Sequence, residues 1–135
     1  MGKPLPFIRR TTDSPAVEGG GCGVFIRRAE SAGTNAGTFI HGTFRVRRSN
    51  GDVRVGALHK TLVLVVTSGG AAHVSTPFES LVVFEEDLET DADFVTGFFG
   101  IDVIGHTGLQ PRGDCYVLVS HGEHLSNILK IAVAP

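Results

Sequence analysis

The stretch LQPRGDCYVLVSHGEHLSNILKIAVAP, residues 109–135, decides the fold that this sequence predicts. Two apolar runs, 116–119 and 128–133, lie on either side of a short polar segment rich in turn-forming residues. Two such runs around such a segment are typical of a β-hairpin. The sequence therefore predicts that the chain ends in a pair of antiparallel strands.

This hairpin resembles the F and G strands that end immunoglobulin-like β-sandwiches. The pair Asp114-x-Tyr116 is similar to the tyrosine corner of that fold, in which the tyrosine hydroxyl bonds back to the backbone a few residues upstream. The resemblance implies a sandwich with a buried hydrogen bond from Tyr116, and it implies no activity. Leu118 stands where antibody domains have a cysteine, and the chain has no tryptophan. A tyrosine at the edge of another antiparallel sheet is the alternative.

The rest of the chain predicts more strands. Its length, 135 residues, suits one domain with a core of its own. Short runs rich in Val, Ile and Phe predict strands at 22–29, 38–48, 53–66, 71–84 and 94–104. Asn50-Gly51 predicts a type I′ hairpin between the second and third of these, and Pro77 predicts an edge position or a break in the fourth. We therefore predict an all-β chain, a single antiparallel immunoglobulin-like β-sandwich of about seven strands over residues 22–135.

Residues 1–21 differ in composition from the rest of the chain. They contain Pro4, Pro6, Pro15 and the triplet Gly19-Gly20-Gly21, which predict an extended N-terminal arm or linker. Apolar residues near its start, such as Phe7, could let this arm add as a strand to its own sheet or to a neighbour's.

Three apolar runs, 62–66, 81–84 and 116–119, place apolar residues on both faces of a strand. Because an opposing sheet covers only one face of a sandwich, we expect the arm or another subunit to cover the second. Scattered exposed valines are the alternative. Val117 and Val119 are accordingly predicted to bind a partner protein.

Charge is divided along the chain. Residues 1–60 contain ten Lys or Arg and four Asp or Glu, whereas residues 61–135 contain two and ten. Arg27, Arg28, Arg45, Arg47 and Arg48 are predicted to bind protein, because opposite charges can pair within one chain or between chains. The net charge of −2 and the lack of Tyr or Trp beside the arginines argue against a nucleic-acid partner.

The best candidate for chemistry is the segment His121-Gly-Glu-His124. His121, Glu123 and His124 offer two imidazoles and a carboxylate, which Zn²⁺ accepts. A solvated turn is the alternative, because zincin-type sites place their His pair one helical turn apart. The chain has no nucleophile elbow, P-loop or dinucleotide motif, so no cofactor is predicted.

Two cysteines, Cys22 and Cys115, are too few for a disulfide framework. No stretch is typical of a secretory signal or a membrane helix, so we expect a soluble cytoplasmic protein. The sequence thus predicts a non-enzymatic module that acts by self-association or protein binding, as a homo-oligomer or with a partner protein. The alternative function is a small metal-dependent enzyme or metal carrier that uses the His121 and His124 turn.

Overall fold

The computed structural model describes residues 6–12, 14–17, 21–28, 39–48, 55–107 and 114–131. These residues form two antiparallel β-sheets packed together, so the all-β prediction is confirmed. The strands are β1 (Gly23–Arg28), β2 (Phe39–Arg47), β3 (Leu62–Ser68), β4 (Ala71–Ser75), β5 (Glu89–Thr90), β6 (Phe94–Asp102), β7 (Cys115–His121), β8 (His124–Leu125) and β9 (Leu129–Ile131). One short helix, α1 (Val103–Thr107), and two 3-10 turns, Val55–Thr61 and Glu85–Asp87, complete the described elements.

The first sheet, sheet I, has the strand order β1-β2-β6-β5. The second sheet, sheet II, has the order β4-β3-β7, and both β8 and β9 pair with the other edge of β7. The face of each sheet that is turned away from the other sheet is called its outer face.

Alternation of side chains along the strands builds the core between the sheets. In β3, Leu62, Leu64 and Val66 point inward and are buried, and the residues between them are only partly covered. In β2 and β6, glycines face rings across the ladder: Gly42 pairs with Phe99, and Gly97 pairs with Phe44. A Cβ atom on Gly42 would lie 2.0 Å from the Phe99 ring, so this packing requires glycine.

The predicted hairpin between the second and third strands is wrong. β2 pairs with β1 and β6 in sheet I, whereas β3 pairs with β4 and β7 in sheet II. Asn50-Gly51 itself lies outside the described residues. The first half of the predicted third strand is the 3-10 turn Val55–Thr61. A tight two-residue turn, Gly69-Gly70, instead joins β3 to β4, and its φ values of 56° and 84° favour glycine.

The predicted fourth strand is too long. β4 ends at Ser75, directly before the segment that contains Pro77, and it lies at an edge of sheet II. The break and the edge position predicted from Pro77 are both confirmed. Residues 81–84 are not a strand, and two of them, Val82 and Phe84, are exposed.

The N-terminal arm lies across the outer face of sheet I. Phe7 forms a backbone bridge with Gly100 of β6, and its ring stacks on Phe39 at a centroid distance of 5.7 Å. Further along the arm, the Thr43 hydroxyl donates a 2.7 Å hydrogen bond to the carbonyl of Pro15. The predicted covering segment therefore exists, but it covers sheet I and not the β3 and β7 strands for which it was predicted.

Candidate binding surface on the outer face of sheet II

The outer face of sheet II carries a row of apolar side chains. Val65 in β3 pairs with Val74 in β4 on one side and with Leu118 in β7 on the other. Because directly paired residues point to the same face, these three side chains form one cross-strand row. Val74, at the edge, is 64% exposed.

The same face extends by one row on each side. Val63 pairs with Ser120, which in turn pairs with Leu125 of β8, a residue that is 69% exposed. On the other side, Tyr116 pairs with Lys130 of β9. The Lys130 ammonium lies 3.1 Å from the Asp114 carboxylate, which raises the pKa of Lys130. The face therefore has an apolar centre and a charged pair at its rim, the usual anatomy of a protein interface.

Tyr116 does not occupy the buried place that a tyrosine corner gives to this residue. β7 turns its odd-numbered residues inward, so Tyr116 points outward and is 46% exposed. The segment 108–113, to which its hydroxyl was predicted to bond, lies outside the described residues. The prediction of a buried side chain is wrong, because it assigned the wrong parity to β7.

The same parity corrects the predicted role of Val117 and Val119. Both side chains point between the sheets and are buried, at 0% and 1% exposure. They hold the core together and cannot touch a partner while the sheets stay packed. The β7 residues that point outward are instead Tyr116 and Leu118, each one position before a predicted valine.

Comparisons with protein-family models, with curated proteins and with solved structures found no match. Within the described part of the chain, no helix has both the length and the apolar character needed to cross a membrane. The described residues also contain no group of three or more His, Cys, Asp or Glu arranged to hold a metal ion.

The arginines predicted to bind protein are largely engaged within the chain. Arg45 lies 4.0 Å from the centre of the Phe94 ring, with Nη2 at 3.4 Å from Asp91 Oδ2. Arg48 Nη1 donates a 2.9 Å hydrogen bond to the Asp91 carbonyl, and Arg47 stands over the same Phe94 ring. These contacts agree with the predicted pairing of basic and acidic segments within one chain. Of the other two, Arg28 is exposed, and Arg27 is partly covered.

His121 is not in the turn where it was predicted. It is the last residue of β7, it points inward, and its Nε2–H donates a 2.8 Å hydrogen bond to the carbonyl of Leu58. Its ring stacks on Phe44 at 4.5 Å. Burial lowers the pKa of His121 and so favours its neutral form. Glu123 in the following turn is exposed, so the three predicted metal ligands are divided between core and solvent.

His59 is a buried histidine that the sequence reasoning missed. It lies in the 3-10 turn Val55–Thr61, is fully buried, and packs edge-on against Phe44 at a ring-centroid distance of 4.9 Å. Its Nε2–H donates a 2.9 Å hydrogen bond to the Phe98 carbonyl, and its Nδ1 has no hydrogen-bond partner within the described residues. Burial lowers the pKa of His59 to about 4, although the bond to Phe98 favours the charged form.

A second histidine pair lies near the end of β4. His106 lies in α1, where its Nε2 is 3.2 Å from the hydroxyl oxygen of Ser75. Its ring is 6.5 Å from that of His73 and perpendicular to it. With only two imidazoles and a hydroxyl, this cluster lacks the third strong ligand of a zinc site.

Proposed function

We propose that this chain is a non-enzymatic immunoglobulin-like β-sandwich module that acts by binding, and that the outer face of sheet II binds a second copy of the chain. The observation that carries the proposal is the cross-strand row Val74, Val65 and Leu118, which no described segment covers. A contiguous apolar patch on an open sheet face is typical of an interaction site.

The strand order supports the immunoglobulin-like assignment. In chain order, β1, β2, β5 and β6 correspond to strands A, B, D and E, and the order β1-β2-β6-β5 is then the A-B-E-D sheet of that fold. Likewise β4-β3-β7-β9 corresponds to C′-C-F-G. The support is independent of Tyr116, on which the resemblance in sequence depended.

The charges favour a second copy with a closed, twofold arrangement. A ring or filament would need the basic half of one subunit to meet the acidic half of the next. However, Arg45, Arg48 and Arg10 already contact the acidic segment 89–91 of their own chain. On sheet II, Lys130 and Asp114 neutralise each other at the rim, so this face carries no net charge there that would repel a second copy of itself.

The size of the face limits the area that a dimer can bury. Four strands at a spacing of about 4.8 Å, each up to seven residues long, give a patch of roughly 19 by 23 Å. Two such patches bury less than the interfaces of permanent complexes, so we expect a concentration-dependent equilibrium between monomer and dimer.

Two valines of similar exposure allow a matched test. Val74 lies on the face, and Val82, which is 70% exposed, lies in the loop after β4. Sedimentation velocity from micromolar to near-millimolar concentration should show dimers for the wild type and for Val82→Glu, and only monomers for Val74→Glu. A wild-type chain that stays monomeric throughout, or two variants that behave alike, would contradict the proposed dimer.

A further inference from the structure

A cavity of about 250 Å³ lies between the N-terminal arm and the outer face of sheet I. The arm contributes Arg10 and residues 14–17 to its wall, and the sheet contributes Thr43, Arg45, Glu89 and Thr96. It is smaller than typical pockets for drug-sized ligands, so its occupant has few non-hydrogen atoms.

The strand register places the polar groups of this cavity side by side. Arg45 of β2 pairs with Thr96 of β6, which pairs with Glu89 of β5. The three side chains therefore form one cross-strand row on the outer face. Phe98, paired with Thr43 in the next row, adds an apolar wall.

Arg45, although it contacts Phe94 and Asp91, keeps one N–H donor without a partner in the cavity wall. Its side chain is only 21% exposed, and the Phe94 ring, 4.0 Å away, fixes the plane of its guanidinium. Its Nε is buried with no hydrogen-bond partner within the described residues. Its contact with Asp91 is long, at 3.4 Å, and the other oxygen of that carboxylate accepts the N–H groups of Asp93 and Phe94. A buried N–H group without a hydrogen-bond partner is costly unless something binds it.

Arg10 closes the cavity at its rim. Its Nη1 lies 2.6 Å from Glu89 Oε2, and both side chains of this pair are more than half exposed. Exposed ion pairs of this kind contribute little and exchange readily with other ions. An entering anion can therefore take the place of Glu89 on Arg10 while it binds Arg45.

We propose that this cavity binds a small oxyanion, either a carboxylate or a phosphate, through the guanidinium of Arg45, with the Thr96 hydroxyl as a second donor and Arg10 at the rim. A planar guanidinium held against a ring presents a fixed fork of N–H donors, which matches the oxygens of both groups. This site is on the opposite side of the sandwich from the face of sheet II, so it is independent of the proposed dimer.

The test is a titration of the full chain followed by NMR, with the side-chain Nε–H resonance of Arg45 as the direct reporter. Sodium phosphate, sodium sulfate, sodium acetate and sodium chloride are added in parallel at matched ionic strength. We expect saturable shifts of the Arg45 Nε–H signal with at least one oxyanion and none with chloride. Saturation by phosphate or sulfate alone identifies a phosphate-type ligand, and saturation by acetate alone identifies a carboxylate.

Two variants distinguish binding in the cavity from non-specific binding of anions to surface arginines. Arg45→Met should raise the dissociation constant by about tenfold or more, because it removes charged donors. Arg28→Met removes the same charge from an exposed position outside the cavity and should leave the constant unchanged. Linear, non-saturating shifts with every salt, an equal response to chloride, or equal weakening by both variants would overturn the site.

Discussion

The outer faces of the two sheets have opposite chemistry. Sheet I presents polar groups that anchor a covering segment on this face: His41 lies 3.1 Å from the Thr11 hydroxyl, and Thr43 donates to Pro15. At the edge of the same sheet, the Gly100 backbone pairs with Phe7. Sheet II presents Val65, Leu118 and Val74, which offer surface but no directional partner. A segment of the same chain thus covers the face on which polar groups fix its path. The side chains of the row Val74, Val65 and Leu118 are apolar and contain no such polar groups.

Displacing the arm from sheet I should have the largest effect on stability. A Cβ atom on Gly100 would lie 2.3 Å from the Phe7 ring, so Gly100→Val should displace the arm, although valine itself suits a strand. The core then loses the burial of Ile8 and most of that of Phe7, which together contribute about 3–5 kcal/mol. Urea denaturation measures the loss.

Gly21→Ala is the control for this experiment, since a Cβ atom there would meet nothing within 4 Å. Limited proteolysis should cut the arm rapidly in Gly100→Val and slowly in the control. Equal stability of Gly100→Val and the wild type would mean that the arm does not contribute to the fold in the way its contacts indicate.

Acid should lower the stability of the core between the two sheets. His59 and His121 both pack against Phe44, and both are neutral at pH 7 because burial lowers their pKa values. The unfolded chain binds protons near the ordinary pKa of 6.5, whereas folded His59 does so only near 4. Stability is therefore complete above about pH 6.5 and falls as the pH drops from there to about 4, by about 3 kcal/mol for His59 alone.

The groups that act electrostatically on this pair are few. His121 and Asp87 act on His59 in opposite directions, and His124 acts on His121. Urea denaturation between pH 7.5 and pH 4 measures the loss of stability, and His59→Gln, which does not titrate, should flatten the curve. A His59→Gln variant with the same slope as the wild type would assign the acid sensitivity to other groups.

The β1 edge of sheet I is covered by a side chain. At the edge of β1, Asn127 imitates a neighbouring strand: its Oδ1 accepts from the Ile26 N–H, and its Nδ2 donates to the Ile26 carbonyl, each at 2.9 Å. Asn127→Ala removes both bonds and should cost about 2 kcal/mol. Asn127→Asp keeps the acceptor for the Ile26 N–H but sets a carboxylate oxygen against the Ile26 carbonyl, so it should not restore the lost stability.

An open β1 edge also invites pairing with another chain, so we expect Asn127→Ala to aggregate sooner on warming. Differential scanning calorimetry with light scattering checks both effects. If Asn127→Ala leaves the melting temperature unchanged, the side chain does not stabilise the fold through its two bonds to Ile26.

The sequence predicted the positions of the strands better than the pairing between them. Apolar alternation located β1, β2, β6 and β7 to within a few residues, because period-2 patterns are local. The pairing of β2 with β6 and of β3 with β7 depends on contacts far apart in the chain, which no local pattern contains. Asn50-Gly51 was therefore interpreted as a hairpin although the adjoining strands lie in different sheets.

The sequence predicted that an apolar surface exists but not which side chains form it, because that choice depends on contacts between distant residues. An excess of apolar residues in 116–119 was visible, but the choice of which ones face outward depends on the parity of β7. The buried role of His59 also depends on distant residues, Phe44 and Phe98. No signal within the 3-10 turn distinguishes it from a solvated histidine.

The smallest expected effect separates the two interpretations of Tyr116. A tyrosine corner would lose a buried hydrogen bond on substitution by phenylalanine, at a cost of about 1 kcal/mol. Tyr116 instead faces outward beside Thr67 and Lys130, 46% exposed, so we expect Tyr116→Phe to change the free energy of unfolding by less than about 0.5 kcal/mol. The same substitution makes the outer face of sheet II more apolar and should leave dimerisation intact or slightly stronger. Urea denaturation at low concentration and sedimentation at high concentration measure the two effects separately, and a loss near 1 kcal/mol would show that the hydroxyl has a buried partner after all.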